Sequence, residues 1–281
     1  MLSHNQLEQI RRRKKFSPTK KLKKPPKWIF PHSAERQYRK QLYELTFQLR
    51  KLIDEILVPQ LPSLIQEVNI LTPDGINTDG FIDKLLGLIL TIEEAIQPKV
   101  EETIREAEKI GLQIAEFNQA QFEKITNSVF GLDLFVDQPW LQDQLKLFAS
   151  QNSMLIKSIP IQELEQVAGM VERGLQEGSR FETFEDDLIK RFGITRRRAK
   201  LIARDQTTKL NASLTKLRQQ ELGVEEYIWQ TAGDERVRAT HRANDGKKFR
   251  WDNPPKETGN PGTDVNCRCV AIPVLEGVLE G

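Results

Sequence analysis

Cysteine is close to absent from this chain. Only Cys267 and Cys269 occur among its 281 residues, one position apart in "NCRCVAIPV". Two thiols cannot build a disulfide framework. Long apolar runs are missing as well: no window supplies the ~20 apolar residues of a membrane span. The most apolar stretch, "FIDKLLGLILTIEEAI", carries an Asp, a Lys and two Glu, so it reads as a helix packed on protein. The basic N-terminus "MLSHNQLEQIRRRKKF" is not followed by an apolar segment, so it does not read as a secretory signal. Together with the cysteine usage, this predicts synthesis in a reducing, cytosolic setting.

Acidic residues are missing where basic ones concentrate. The net charge is only +2, yet "RRRKKFSPTKKLKKPPK" (11–27) holds ten Lys or Arg and no acid. Such a block repels itself and cannot bury a core, so residues 1–32 read as a mobile basic tail. Arg11, Arg12, Arg13, Lys14, Lys15, Lys20, Lys21, Lys23 and Lys24 are candidate contacts to a nucleic-acid backbone. They would act through counterion release, without reading sequence. A solubilising tail or a grip on an acidic protein surface are the competing readings.

The remainder is rich in helical periodicity. After Ser33, a candidate N-cap, Tyr38, Leu42, Leu45, Leu49, Leu52 and Ile56 recur at spacings of four and three, predicting a long amphipathic helix stopped by Pro59 and Pro62. A second stripe runs from Phe81 through Leu85, Ile89, Ile92, Ile96 and Val100 to Phe122, with a kink expected at Pro98. Three further helical pieces follow, "PWLQDQLKLFASQNSMLIKSI", "PIQELEQVAGMVERGLQEG" and "RFETFEDDLIKRF". A Gly-containing turn at Gly193 and a basic helix capped by Thr195 come next. Arg197, Lys200 and Arg204 share one face of that helix, and the first two join the candidate phosphate contacts. A start of "RRRAK" suits phosphates better than base edges.

Past Gly223 the pattern changes. "VEEYIWQT", "KKFRW" and "CRCVAIPV" read as strands, and "DERVRATHRAN" as a short helix beginning at Asp234. Asp234, Arg238 and His241 would then share a helix face, and could supply a general base and phosphate-binding groups to a nuclease. Cys267 and Cys269, at i and i+2 of a strand, would point to one face. With His241 they could ligate zinc, the fourth ligand coming from Asp234, Asp245, Asp264 or water. Alternatively, the two cysteines are small buried residues and Arg268, on the opposite face, pairs with an acid. A redox pair fits poorly, because an i, i+2 disulfide closes a strained ring.

"YIWQTAGDERVRATHRANDGKKFRWDNPP…PG…NCRC…IP" resembles the C-terminal signature of the phage Mu F-like head morphogenesis family. The upstream "VERGLQEGSRFETFEDDLIKRFGIT" and "RRRAKLIARDQTTKLNASLTKLRQQELGV" resemble its helical lead-in. The likeness covers about residues 160–275. Its signature positions here are Trp229, Thr231, Asp234, Arg236, Val237, Arg238, His241, Gly246, Pro261, Gly262, Asn266, Cys267, Arg268 and Cys269. The resemblance implies a minor capsid protein of a tailed phage or prophage. Such a protein associates with the portal and other head proteins and resides inside the virion head, some relatives being implicated in DNA packaging or delivery. With the basic tail, non-specific contact with packaged DNA is expected here. It implies no catalytic assignment.

The expected architecture is mainly α. It comprises the basic tail 1–32, a long-helix body 33–158 and a Mu F-like domain 159–281. That domain has helices to 223 and a small α+β unit, 224–276, of about three short strands and one short helix. No membrane association is expected, and enzymatic activity is not the expected role.

Overall fold

A computed structural model describes residues 26–64, 79–130, 138–176 and 181–275. The candidate tail contacts Arg11–Lys24 lie outside the described residues. The chain is mainly helical: α1 (His32–Leu52), α2 (Asp79–Phe130), α3 (Leu141–Gln176) and α4 (Phe181–Glu221) precede β1 (Glu226–Gln230), α5 (Ala239–Asn244), β2 (Lys248–Arg250) and β3 (Val270–Pro273). No helix among the described residues is long and apolar enough to cross a membrane. The described residues fall into two compact units. One takes those within Met1–Glu35, Lys109–Phe148 and Arg204–Gly281, the other those within Arg36–Glu108 and Ala149–Ala203.

In the second unit, Tyr38, Leu42, Leu45, Leu49, Ile53 and Leu57 are buried, whereas Leu52 and Ile56 are half-buried. The expected seam therefore shifts by one residue at its C-terminal end. A 3.5-residue seam drifts off the face of a straight 3.6-residue helix, and α1 continues here as a π turn, Ile53–Leu57. Pro59 does not stop the chain outright. It sits in a 3-10 turn, Val58–Gln60, at a position where its missing N–H costs nothing. Ser33 lies inside α1, which begins one residue earlier, so it is not the N-cap. Tyr38 Oη donates to Asn152 Oδ1 at 2.5 Å, anchoring α1 polar-to-polar within an apolar layer.

Two expected breaks are not breaks. α3 runs through Pro160 as one continuous helix where the sequence predicts two pieces, and α2 runs through Pro98, where only a kink is expected. Pro98 and Glu94 lie on the exposed side, so the carbonyl that loses its helical donor is on the face open to solvent. α4 runs through Gly193, and Thr195 is an interior residue, not a cap. The reason is tertiary. Buried Glu163 on α3 accepts from Arg191 Nε at 2.9 Å and from Thr195 Oγ1. These bonds clamp α4 on both sides of a glycine that alone costs only about 1 kcal/mol.

In the first unit, Arg218 is fully buried. It donates to Asn118 Oδ1, to Gln138 Oε1 at 2.8 Å and to the Ala115 carbonyl at 3.3 Å. Asn118 Nδ2 in turn donates to Asn211 Oδ1 at 2.9 Å and Thr215 Oγ1 at 2.8 Å. Burial pulls the Arg218 guanidinium down to about 10, still far above neutrality.

The C-terminal sheet has the order β2-β1-β3, all antiparallel. Ile228 faces Lys248 on one side and Ile272 on the other. One face buries Tyr227, Trp229, Trp251 and Ala271 together with Cys267 and Cys269. Gln219 of α4 fixes this sheet to the helix. Its Nε2 donates to the Ala271 carbonyl at 2.9 Å, and its Oε1 accepts from Trp251 Nε1 at 3.2 Å.

Candidate metal centre

The strand predicted for "CRCVAIPV" begins only at Val270, so neither cysteine is in a strand. Their convergence comes from a turn instead. Asn266 adopts φ 60°, a left-handed conformation that asparagine tolerates. Its N–H donates to Asp205 Oδ1 at 3.1 Å. The following carbonyl, of Cys267, accepts from Thr208 Oγ1 at 2.9 Å. Two polar side chains of α4 thus hold the loop by its backbone. Periodicity alone does not single out Asp205, Thr208 or Gln219, which stand in a basic and then leucine-faced helix. Only the structure shows that all three are buried and hydrogen-bonded to the C-terminal segment.

The short helix is also later than expected. It starts at Ala239 with Arg238 as its first flanking residue, and Asp234 lies in the turn before it. Asp234, Arg238 and His241 therefore do not line one helix face. Each has its own engagement. Asp234 takes Arg268 in a fork, at 2.5 and 2.6 Å, which holds its carboxyl below the usual range. This is the acid partner expected for Arg268. Arg238 donates to Asp264 at 3.2 Å and to the Val265 carbonyl at 2.7 Å. His241 is buried, with Trp229 standing edge-on to its ring at 5.5 Å.

His241, Cys267 and Cys269 do come together. Their ligand atoms all lie within 4.8 Å of one another, and all three residues are buried. His241 Nδ1 is 3.4 Å from Cys269 Sγ and 3.6 Å from Cys267 Sγ. On the other side of the ring, Nε2 is 2.8 Å from Asp264 Oδ2. A carboxylate at Nε2 favours the tautomer with its proton there, leaving Nδ1 as a lone pair aimed at the sulfurs. The Cys269 thiol and backbone N–H groups of Cys269 and Gly262 draw Cys267 down to about 6, while the same contact and burial push Cys269 up.

The candidate fourth ligands do not join them. Asp234 is held by Arg268. Asp245 Oδ1 accepts from the Thr231 N–H at 2.7 Å. Asp264 is at the far ring nitrogen. The three ligand residues instead border a cavity of about 140 Å³, lined also by Arg204, Arg236, Arg238 and Arg268. Away from this site, Arg197 and Lys200 are exposed on α4, whereas Arg204 is drawn to buried Glu35 at 3.6 Å.

The cluster lies within a stretch that is shared with other proteins. A Haemophilus influenzae chain described as an uncharacterized protein is 40% identical over 166 residues, which is 57% of this chain and 36% of that one. The chain thus spans about a third of the length of the curated relative it matches. No solved structure matches. Residues 165–272 match the family model described as Phage Mu protein F like protein. That segment, which is similar to the Mu F-like family, carries His241, Cys267 and Cys269.

Proposed function

We propose that this chain is a minor head protein of a tailed phage or prophage, acting in head morphogenesis. It is made in the bacterial host cytoplasm and incorporated into the virion head, beside the portal and other head proteins. The observation that carries the reading is the Mu F-like match over 165–272. The long-helix character of the chain and its basic N-terminal composition support it: a cationic segment suits a protein that sits against packaged DNA. Purified heads of the phage or prophage encoding the chain are expected to contain it, and full-length chain is expected to capture the portal protein of the same element. Heads that assemble and package normally without the chain would overturn the reading.

Contact with DNA is a separable part of this proposal. Binding of the full-length chain to mixed-sequence DNA is expected to fall steeply with salt. Deletion of residues 1–27 should flatten that dependence, by about 0.9 in log–log slope for each phosphate that is no longer neutralised. Unchanged affinity and slope after the deletion would remove the tail from the reading and leave exposed Arg197 and Lys200 as the cations to test next.

A further inference from the structure

We infer that His241 Nδ1, Cys267 Sγ and Cys269 Sγ bind one zinc ion whose fourth coordination position opens into the arginine-lined cavity and takes a small oxyanion. Three observations carry this. The first is distance. Tetrahedral zinc with ordinary Zn–N and Zn–S bonds sets the N···S edge at about 3.5 Å, and the two edges here are 3.4 and 3.6 Å. The second is the donor set. With the proton on Nε2 and donated in a hydrogen bond to Asp264 Oδ2, Nδ1 has a single lone pair. The nitrogen bearing it lies 3.4 and 3.6 Å from the two sulfurs, so one nitrogen and two sulfur donors face a common point. The third is support around the ligands: a carboxylate behind the histidine, and the Cys269 N–H donating to Cys267 Sγ at 3.4 Å. Metal-ligand histidines ordinarily have such a partner on their second nitrogen. Binding would displace the two thiol protons to solvent, leaving two thiolates on the divalent ion.

The fourth position follows from what lines the cavity. No other His, Cys, Asp or Glu among the described residues joins the three ligands. Four guanidinium groups border the space. Arg204 faces Glu35, Arg238 faces Asp264 and Arg268 faces Asp234. Arg236 lines the same cavity and makes no side-chain hydrogen bond or ion pair among the described residues. Zinc with two thiolates is neutral, and the four lining arginines outnumber the three carboxylates they face, so the open position has a net positive setting. That combination selects a small anion with oxygen donors, such as inorganic phosphate, exchanging with a bound water.

Full-length chain purified under reducing conditions without chelator is expected to carry about one zinc per chain. Replacement by cobalt should give the absorption of a tetrahedral site with sulfur-to-metal charge transfer. Cys269→Ser, with circular dichroism unchanged, should lose most of the bound metal. If Cys269→Ser fails to fold, chelator treatment of the unaltered chain provides the same reading, because charge-transfer absorption should disappear with the metal. Inorganic phosphate should shift the cobalt bands. Arg236→Ala should keep the metal and the charge-transfer band while weakening the phosphate response roughly tenfold. A chain that neither carries zinc nor takes up cobalt would overturn the site. Cobalt bands that ignore phosphate in the unaltered chain would overturn the open position. Neither result bears on the head-morphogenesis reading.

Discussion

Arg218→Ala is expected to be among the most damaging single changes in the chain, lowering stability by about 3–5 kcal/mol. The guanidinium is fully buried and supplies donors to Asn118 Oδ1, Gln138 Oε1 and the Ala115 carbonyl. Truncation leaves these acceptors without a partner, at about 1–3 kcal/mol for each that water cannot reach. It also opens a cavity beside Trp140, whose ring lies 5.8 Å from the guanidinium carbon. Arg218→Met separates the two contributions, since it retains the apolar stem and removes only the donors. Both variants should shift the denaturant midpoint downward, Arg218→Ala further. A change below about 1 kcal/mol in Arg218→Ala would show that water replaces the guanidinium at little cost.

Gly262→Ala should be comparably disruptive, at about 3 kcal/mol or more, for a purely geometric reason. Gly262 has φ +88°, which a residue with a side chain rarely adopts. A Cβ placed there would collide with Ala212 Cβ and stand 3.5 Å from the Thr208 carbonyl. Neither group can rotate away, because one is fixed to a helix backbone and the other belongs to it. The loop must lift from α4, and the Thr208–Cys267 bond goes with it. Thermal unfolding of Gly262→Ala, Ala212→Gly and the double variant gives the test. The double variant should relieve the clash but not the strain of the positive φ, so its stability should fall between Gly262→Ala and the unaltered chain. Full stability in Gly262→Ala alone would refute the close approach.

Much of the fold was legible in the chain. The stripes from Tyr38 and from Phe81 announce long helices, because burial repeats at the helical period whatever the partner. The alternation in "EEYIWQ" announces β1, and the turn residues around "NDG" separate α5 from β2. What misled was punctuation. Pro160 and Gly193 each carry a real local cost, but of a few kcal/mol at most. Bonds such as Arg191–Glu163 and Thr195–Glu163 outweigh it at Gly193, and those connect residues far apart in the chain.

The candidate site divides in the same way. Two cysteines used nowhere else, and a histidine in a short basic segment, were enough to single out Cys267, Cys269 and His241. The reason expected for their meeting, a shared strand face, does not hold. Sequence by itself determined which side chains had ligand chemistry, because scarcity and residue type are local properties. Only the tertiary structure decided that they meet, which atoms face one another and which acids stay away. Those outcomes depend on Asp205 and Thr208 gripping a loop roughly sixty residues onward, and on Asp264 turning the imidazole. No spacing rule encodes such bonds, since their energy exists only once α4 and the loop are side by side.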